Sequence, residues 1–277
     1  MREGTVLSSG GVWLHWRAWE AASPRRVVAV LHGLGEHGGR YAEVGTWLSR
    51  RGTSVWAVDL RGMGRSEGER GRLARWEDWL DDAHRLWTLI EEQAPGLEIV
   101  PLGHSVGGVL VGSAVLRGTF RPRRFVLSNP AFAVRMPIPL WKRATGGAAQ
   151  RVAPWLVASS GIDPALLAID AGVGERYRAD PWVHDRLSAG LYGAWMRAAR
   201  EVLERAADLR RPYLLLLSPE DPIVDAAVSE RFDRASRVGQ VVRRYPGRRH
   251  EPLQDLDREQ VLSDLLAWLE SDVTFAA

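Results

Sequence analysis

The stretch Leu97-Glu98-Ile99-Val100-Pro101-Leu102-Gly103-His104-Ser105-Val106-Gly107-Gly108 runs on into Val109-Leu110-Val111-Gly112-Ser113-Ala114-Val115-Leu116. Its first apolar run reads as a buried strand, its Gly-x-Ser-x-Gly interruption as a sharp turn, and its second apolar run as a buried helix. So tight a turn needs very small residues on both sides, which Gly103 and Gly107 supply. It also leaves the backbone N–H groups of the helix's first turn without partners. The pattern predicts a nucleophile elbow with the Ser105 hydroxyl at its apex.

Chance supplies this motif readily. With Gly at 28 of 277 positions and 17 serines, about 0.2 random matches are expected. Gly64-Arg65-Ser66-Glu67-Gly68 also fits, but Glu69-Arg70-Gly71 comes next and no apolar helix carries the turn. Ser66 therefore reads as a loop residue and Ser105 as the nucleophile candidate.

Working outward, 277 residues fit one large domain with room for an insertion. The 36 arginines and single lysine are scattered among acids and the formal charge is only +3, so no nucleic-acid partner is expected. Without cysteine there is neither a disulfide framework nor a thiolate metal site. Met1-Arg2-Glu3-Gly4 lacks the apolar core of a signal peptide, and a cytoplasmic location is the expectation. The uncharged run from Ile99 to Leu116 is broken by Pro101, His104 and glycines, which argues against a membrane span.

An N-terminal hairpin is expected around Ser8-Ser9-Gly10-Gly11, followed by alternating strands and helices. Strand-like runs cover 27–31, 54–58, 97–102, 125–128, 213–217 and 240–245; helical patterns cover 41–50, 76–93, 106–116, 226–238 and 258–269. Such alternation predicts an α/β fold: a mostly parallel sheet flanked by helices. Residues 133–199 break the rhythm, with no convincing strand but many prolines and tryptophans. They read as a cap inserted between core segments 1–132 and 200–277.

A serine needs a base to take its proton and a third group to hold that base in the right tautomer. Among the histidines that come after Ser105, His184 falls inside the expected cap, whereas His250 follows a strand and loops back at the elbow's end of the sheet. His250 is the candidate base. The acid should leave the strand ending at Leu217, where Glu220, Asp221 and Asp225 are available. Pro219 and Pro222 fix the direction of Asp221, whereas Asp225 reads as a helix N-cap; Asp221 is the candidate acid. An oxyanion needs two preorganised donors. The Val106 N–H is one, and the Leu34 N–H, from the glycine-rich Leu31-His32-Gly33-Leu34-Gly35-Glu36-His37-Gly38-Gly39-Arg40, is the other.

That loop raises two competing readings. Gly33-Leu34-Gly35-Glu36-His37-Gly38, with Asp59 ending the next strand, matches the form of a dinucleotide fingerprint and would imply an NAD-type oxidoreductase. Its third glycine, however, still lies in the loop, where the fingerprint needs it inside the helix. A metal site on His32, Glu36 and His37 lacks the helical spacing that aims two histidines at one ion, and no metal is expected.

With these residues in place, the chain resembles the α/β-hydrolase superfamily, and within it the monoacylglycerol lipase and lysophospholipase-like serine hydrolases. The likeness extends over nearly the whole length. It is carried by Leu31 to Tyr41, by Asp59-Leu60-Arg61-Gly62-Met63-Gly64-Arg65-Ser66-Glu67-Gly68, by Gly103 to Gly108, by Asp180-Pro181, and by the Asp221 and His250 loops. The resemblance implies Ser105 as nucleophile, His250 as base and Asp221 as acid, with Leu34 and Val106 forming the oxyanion hole. It also implies a helical cap admitting one acyl chain, a lipid-like monoester substrate such as a monoacylglycerol or lysophospholipid, and no cofactor. Trp141 and Trp155 in the cap, beside Lys142, Arg143 and Arg151, are candidate substrate-binding residues, as a tunnel lining or as a transient contact with a membrane surface. A carboxylesterase for small soluble esters and a non-catalytic ligand-binding scaffold are the alternative readings. Oligomeric state is left open.

Overall fold

The computed structural model describes residues 1–135 and 152–271. The predicted hairpin is present, with β1 (Arg2–Leu7) antiparallel to β2 (Trp13–Trp19). After β3 (Arg26–Leu31) the chain alternates through α1 (Ala42–Ser49), β4 (Thr53–Val58), α2 (Trp76–Gln93), β5 (Glu98–His104), α3 (Val106–Arg117) and β6 (Phe125–Ser128). The described part of the insertion holds β7 (Val157–Ser159), α4 (Ala171–Ala179) and β8 (Arg186–Ser188), and α5 (Ala189–Glu204) leads back to the core. The chain ends with β9 (Tyr213–Leu217), α6 (Ala226–Ala235), β10 (Val241–Arg244) and α7 (Arg258–Glu270).

One eight-stranded sheet runs β1-β2-β4-β3-β5-β6-β9-β10, parallel from β4 onward. The uninterrupted runs Thr53–Val58 and Tyr213–Leu217 are buried throughout, as strands covered on both faces must be. Side chains of α1 and α7 pack on one face, including Leu48, Leu265 and Trp268. The other face is covered by α2, α3, α5 and α6, including Trp79, Val109, Val202 and Phe232. Pro101 sits in β5 opposite Ala29 of β3, and β6 joins that strand only from Leu102 onward.

The strand order reverses at β3, with β4 on one side and β5 on the other. In open α/β sheets the crevice outside the carboxyl ends at such a reversal is where ligands bind. The glycine-rich loop leaves β3 there and the Ser105 turn leaves β5. The insertion docks on the same end: His184 N–H donates to the Gly35 carbonyl at 2.9 Å, Glu251 N–H to the Leu167 carbonyl at 2.8 Å, and Ile169 N–H to the Asp255 carboxylate at 2.9 Å.

Two details differ from the expectation for 133–199. β7 and β8 pair antiparallel as three-residue strands where no strand was expected, because runs so short show no alternation in sequence. And α5 crosses the expected boundary at 199, packing Val202 against Gly112 of α3 while Trp195 Nε1 donates to the Ala131 carbonyl at 2.9 Å. The boundary thus falls within a core-packed helix.

Candidate active site

Ser105 stands between β5 and α3 at φ 54°, ψ −120°, backbone space that a residue with a Cβ seldom occupies. Its neighbours explain the two glycines. A Cβ on Gly103 would lie 2.2 Å from the Gly107 carbonyl oxygen, and one on Gly107 would lie 2.1 Å from that of Leu31. Ser105 N–H donates to the Ser128 carbonyl at 3.0 Å, and Ala131 N–H to the Ser105 carbonyl at 2.9 Å, which fastens the turn to the end of β6.

His250 is buried and lines one cavity with Ser105, Leu34, His104 and Tyr177. Its Nδ1–H donates to Asp221 Oδ2 at 2.7 Å, which leaves Nε2 of the neutral ring as an acceptor. The other Asp221 oxygen accepts from the N–H groups of Ile223 at 2.7 Å and Val224 at 3.1 Å. Burial opposes charge on both residues, but their mutual attraction outweighs it. His250 is held above the ordinary histidine value by Asp221, with Glu251 and Glu36 adding to the effect, and Asp221 is held below the ordinary carboxylate value by His250 and the two backbone donors. His104, with its ring 4.8 Å from that of His250, goes the other way: burial first, then the nearby imidazole, lower its pKa to about 4.

The remaining acids are placed elsewhere. Asp225 caps α6 by accepting from Ala227 N–H at 3.0 Å, and Glu220 accepts from Gly247 N–H at 3.0 Å. Among the described residues the amides of Leu34 and Val106 have no hydrogen-bond partner, and Leu34 lines the cavity. Trp155 does not. It is 57% exposed, and of the two expected roles, tunnel lining or contact with a membrane surface, an exposed position suits the second. Trp141 lies outside the described residues.

The Asp59 carboxylate is buried and accepts from Arg17 Nη1 at 2.7 Å and from the N–H groups of Gly38 and Arg65 at 2.9 and 2.8 Å. It ties the glycine-rich loop to the sheet instead of facing a ribose. Among the described residues no cluster of His, Asp or Glu is arranged to hold a metal ion, and no helix is long and apolar enough to cross a membrane.

Residues to which the sequence reading gave no part in hydrolysis complete the cavity wall. Glu36 accepts from Gly33 N–H at 2.6 Å and from Arg40 at 2.7 Å, while Arg40 also grips both oxygens of Glu251 at 2.7 Å. Adjacency of Glu251 to His250 and the place of Glu36 in the glycine-rich loop were the available signals. His37 Nδ1 accepts from Gly39 N–H at 3.1 Å and its Nε2–H donates to Asp180 at 2.8 Å, joining that loop to the insertion.

The family model described as serine aminopeptidase, S33, matches residues 22–257. A monoacylglycerol lipase of Mycolicibacterium smegmatis is 31% identical, with 97% of each chain covered. The crystal structure of the Paleococcus ferrophilus monoacylglycerol lipase superposes with a TM-score of 0.83 at 30% identity, covering 92% of this chain and 98% of that one. A soluble variant of the Saccharomyces cerevisiae monoglyceride lipase shares the fold, with a TM-score of 0.86 at 20% identity over 96% and 94% of the two chains. With the matched region spanning most of the sheet and every loop of the site, the chain belongs to the S33 serine aminopeptidase family of α/β hydrolases.

Proposed function

We propose that this protein is a carboxylic ester hydrolase that cleaves single-chain lipid monoesters, such as monoacylglycerols or lysophospholipids, through an acyl-enzyme on Ser105. The observation that carries the reading is the buried His250–Asp221 hydrogen bond of 2.7 Å beside a serine at positive φ that shares its cavity. Ser105 Oγ attacks the ester carbonyl carbon while His250 Nε2 takes the hydroxyl proton. The oxygen that becomes negative is met by the Leu34 and Val106 N–H groups. Collapse expels the alcohol, which receives the proton from His250. Water then repeats the sequence, giving its proton to His250 and its oxygen to the acyl carbon; the bond from that carbon to Ser105 Oγ breaks, His250 returns the proton to Oγ, and the carboxylic acid leaves. Asp221 keeps the imidazole in the right tautomer and stabilises its cationic form throughout.

The substrate class rests on the monoacylglycerol lipases among the relatives and on the cavity itself. Ile162, Leu167 and Leu34 offer apolar surface, while Tyr177, Glu36 and Glu251 offer polar atoms suited to an alcohol with free hydroxyls. Residues 133–199 act in this reading as the cap that selects the acyl chain. Val152, Trp155 and Leu156 are exposed apolar residues, and they favour the membrane-surface role of Trp155 over a tunnel role.

The test is hydrolysis of a long-chain monoacylglycerol, a lysophospholipid, a short p-nitrophenyl ester and an aminoacyl p-nitroanilide, with Trp155→Ala alongside. Cleavage of the monoesters, with Trp155→Ala losing about fivefold on liposome-borne substrate and little on the short ester, is the expected outcome. Turnover of the anilide alone would replace this reading with the peptidase named by the family. Equal losses of Trp155→Ala on both esters would remove the surface role.

A further inference from the structure

Asn129 comes directly after the last residue of β6 and is fully buried, with φ 39°. Asparagine is among the few residues that enter this left-handed region readily. Its side chain reaches two loops that are far away in sequence. Oδ1 accepts from Ser218 N–H at 2.8 Å. Nδ2 donates to the His250 carbonyl at 2.8 Å and lies 3.1 Å from Ser218 Oγ and 3.3 Å from the Arg249 carbonyl. A backbone N–H on one side and two carbonyls on the other leave a single orientation for the amide.

Ser218 in turn accepts from Asp221 N–H through its carbonyl at 3.2 Å, and the Ser128 carbonyl accepts from Ser105 N–H at 3.0 Å. Residues 128 and 129 therefore touch all three loops of the site: the serine turn through a carbonyl, the acid loop through Ser218, and the base through its own main chain. A carboxamide is well suited to this place. An aspartate would set its charge against two carbonyl oxygens, and an apolar residue would strand a buried N–H and two buried carbonyls.

We propose that Asn129 is a positioning residue for the reaction, its carboxamide holding the Asp221 and His250 loops in register with the Ser105 turn. The inference rests on Ser105, His250 and Asp221 acting as proposed above. Errors of about 1 Å in such placement cost on the order of 100-fold in rate, so the expected effect lies in turnover and not in binding. A looser Asp221–His250 contact also weakens the interaction that raises the imidazole pKa. Besides Asp221, the titratable groups facing His250 include Glu251, Glu36, His104 and Tyr177, and none of them hydrogen-bonds to Asn129.

The experiment compares Asn129→Gly, which removes the carboxamide but tolerates positive φ, with the unaltered enzyme. Active sites are first counted by fluorophosphonate labelling. We expect kcat per labelled site to fall about 10- to 100-fold with KM changed less than about threefold, and the acidic limb of kcat/KM to move to lower pH. A purely structural role would lower the melting temperature and the number of labelled sites while leaving kcat per site and the pH limb unchanged, and that result overturns the proposal. If Asn129→Gly does not fold, Asn129→Asp keeps the size and backbone preference, and the same two readouts decide. Labelling at a residue other than Ser105 in the unaltered enzyme would instead defeat the underlying assignment of the nucleophile.

Discussion

Ser66 and Ser105 occupy the same five-residue pattern and are nearly equally buried, at 4% and 7% exposure, yet their hydroxyls are committed differently. Ser66 Oγ donates to the Asp59 carbonyl and accepts from His15 N–H. It is a brace between the loop and the hairpin strand β2. Ser105 is held by backbone on both sides of the turn, and its side chain borders the cavity of His250. The difference originates on the C-terminal side of each motif. After Ser105 the chain enters a helix of 12 residues buried on the sheet; after Ser66 it continues as a loop. A hydroxyl spent on two main-chain groups has no freedom to serve a base, whereas a strained strand-to-helix turn presents its side chain outward.

The contrast is broken most sharply by paired substitutions. Ser105→Ala should lower kcat by roughly 10⁴-fold or more. Ser66→Ala should leave turnover within about twofold but cost about 1–3 kcal/mol of stability, because two buried backbone groups lose a partner. Ester hydrolysis with thermal unfolding checks both, and fluorophosphonate labelling of the Ser105→Ala protein would sink the assignment.

Asp221 and Asp225 repeat the contrast four residues apart. Asp221→Asn should cost about 10⁴-fold in kcat by presenting the wrong partner to the imidazole, whereas Asp225→Asn should change little, since Asn caps a helix as well as Asp. The pH profile sharpens this further. In the proposed mechanism the neutral imidazole is the base, and Asp221 raises the His250 pKa from its ordinary 6.5, so kcat/KM should fall as pH drops through a midpoint above that value. His104, lowered to about 4, stays neutral across the same limb. A midpoint below 6.5 in the unaltered enzyme would mean that Asp221 does not govern the base. The smallest effect belongs to Leu34→Ala, which keeps the backbone N–H and should retain most turnover. A loss approaching about 3 kcal/mol in folded protein, the cost of a missing oxyanion donor, would show that the side chain itself takes part.

Much of the molecule was legible because it obeys local rules. The runs 27–31 and 213–217 announced buried strands by unbroken apolar character, and the prolines around Asp221 separated it from the capping Asp225. β7 and β8 were not legible, since three-residue strands exist only through their pairing.

What the sequence by itself determined was the alternation of strand and helix, the glycines that permit the Ser105 turn, and the residue types that can serve as nucleophile, acid and base. Those features come from backbone sterics and side-chain period, which act over a few neighbouring residues. Only the tertiary structure decided that Asn129 reaches Ser218 and His250, 89 and 121 positions away, that Arg40 joins Glu36 to Glu251, and that Asp59 turns inward to Arg17. Such contacts arise when whole strands are set side by side, and hydrogen-bond geometry then selects partners by position in space, not by distance along the chain.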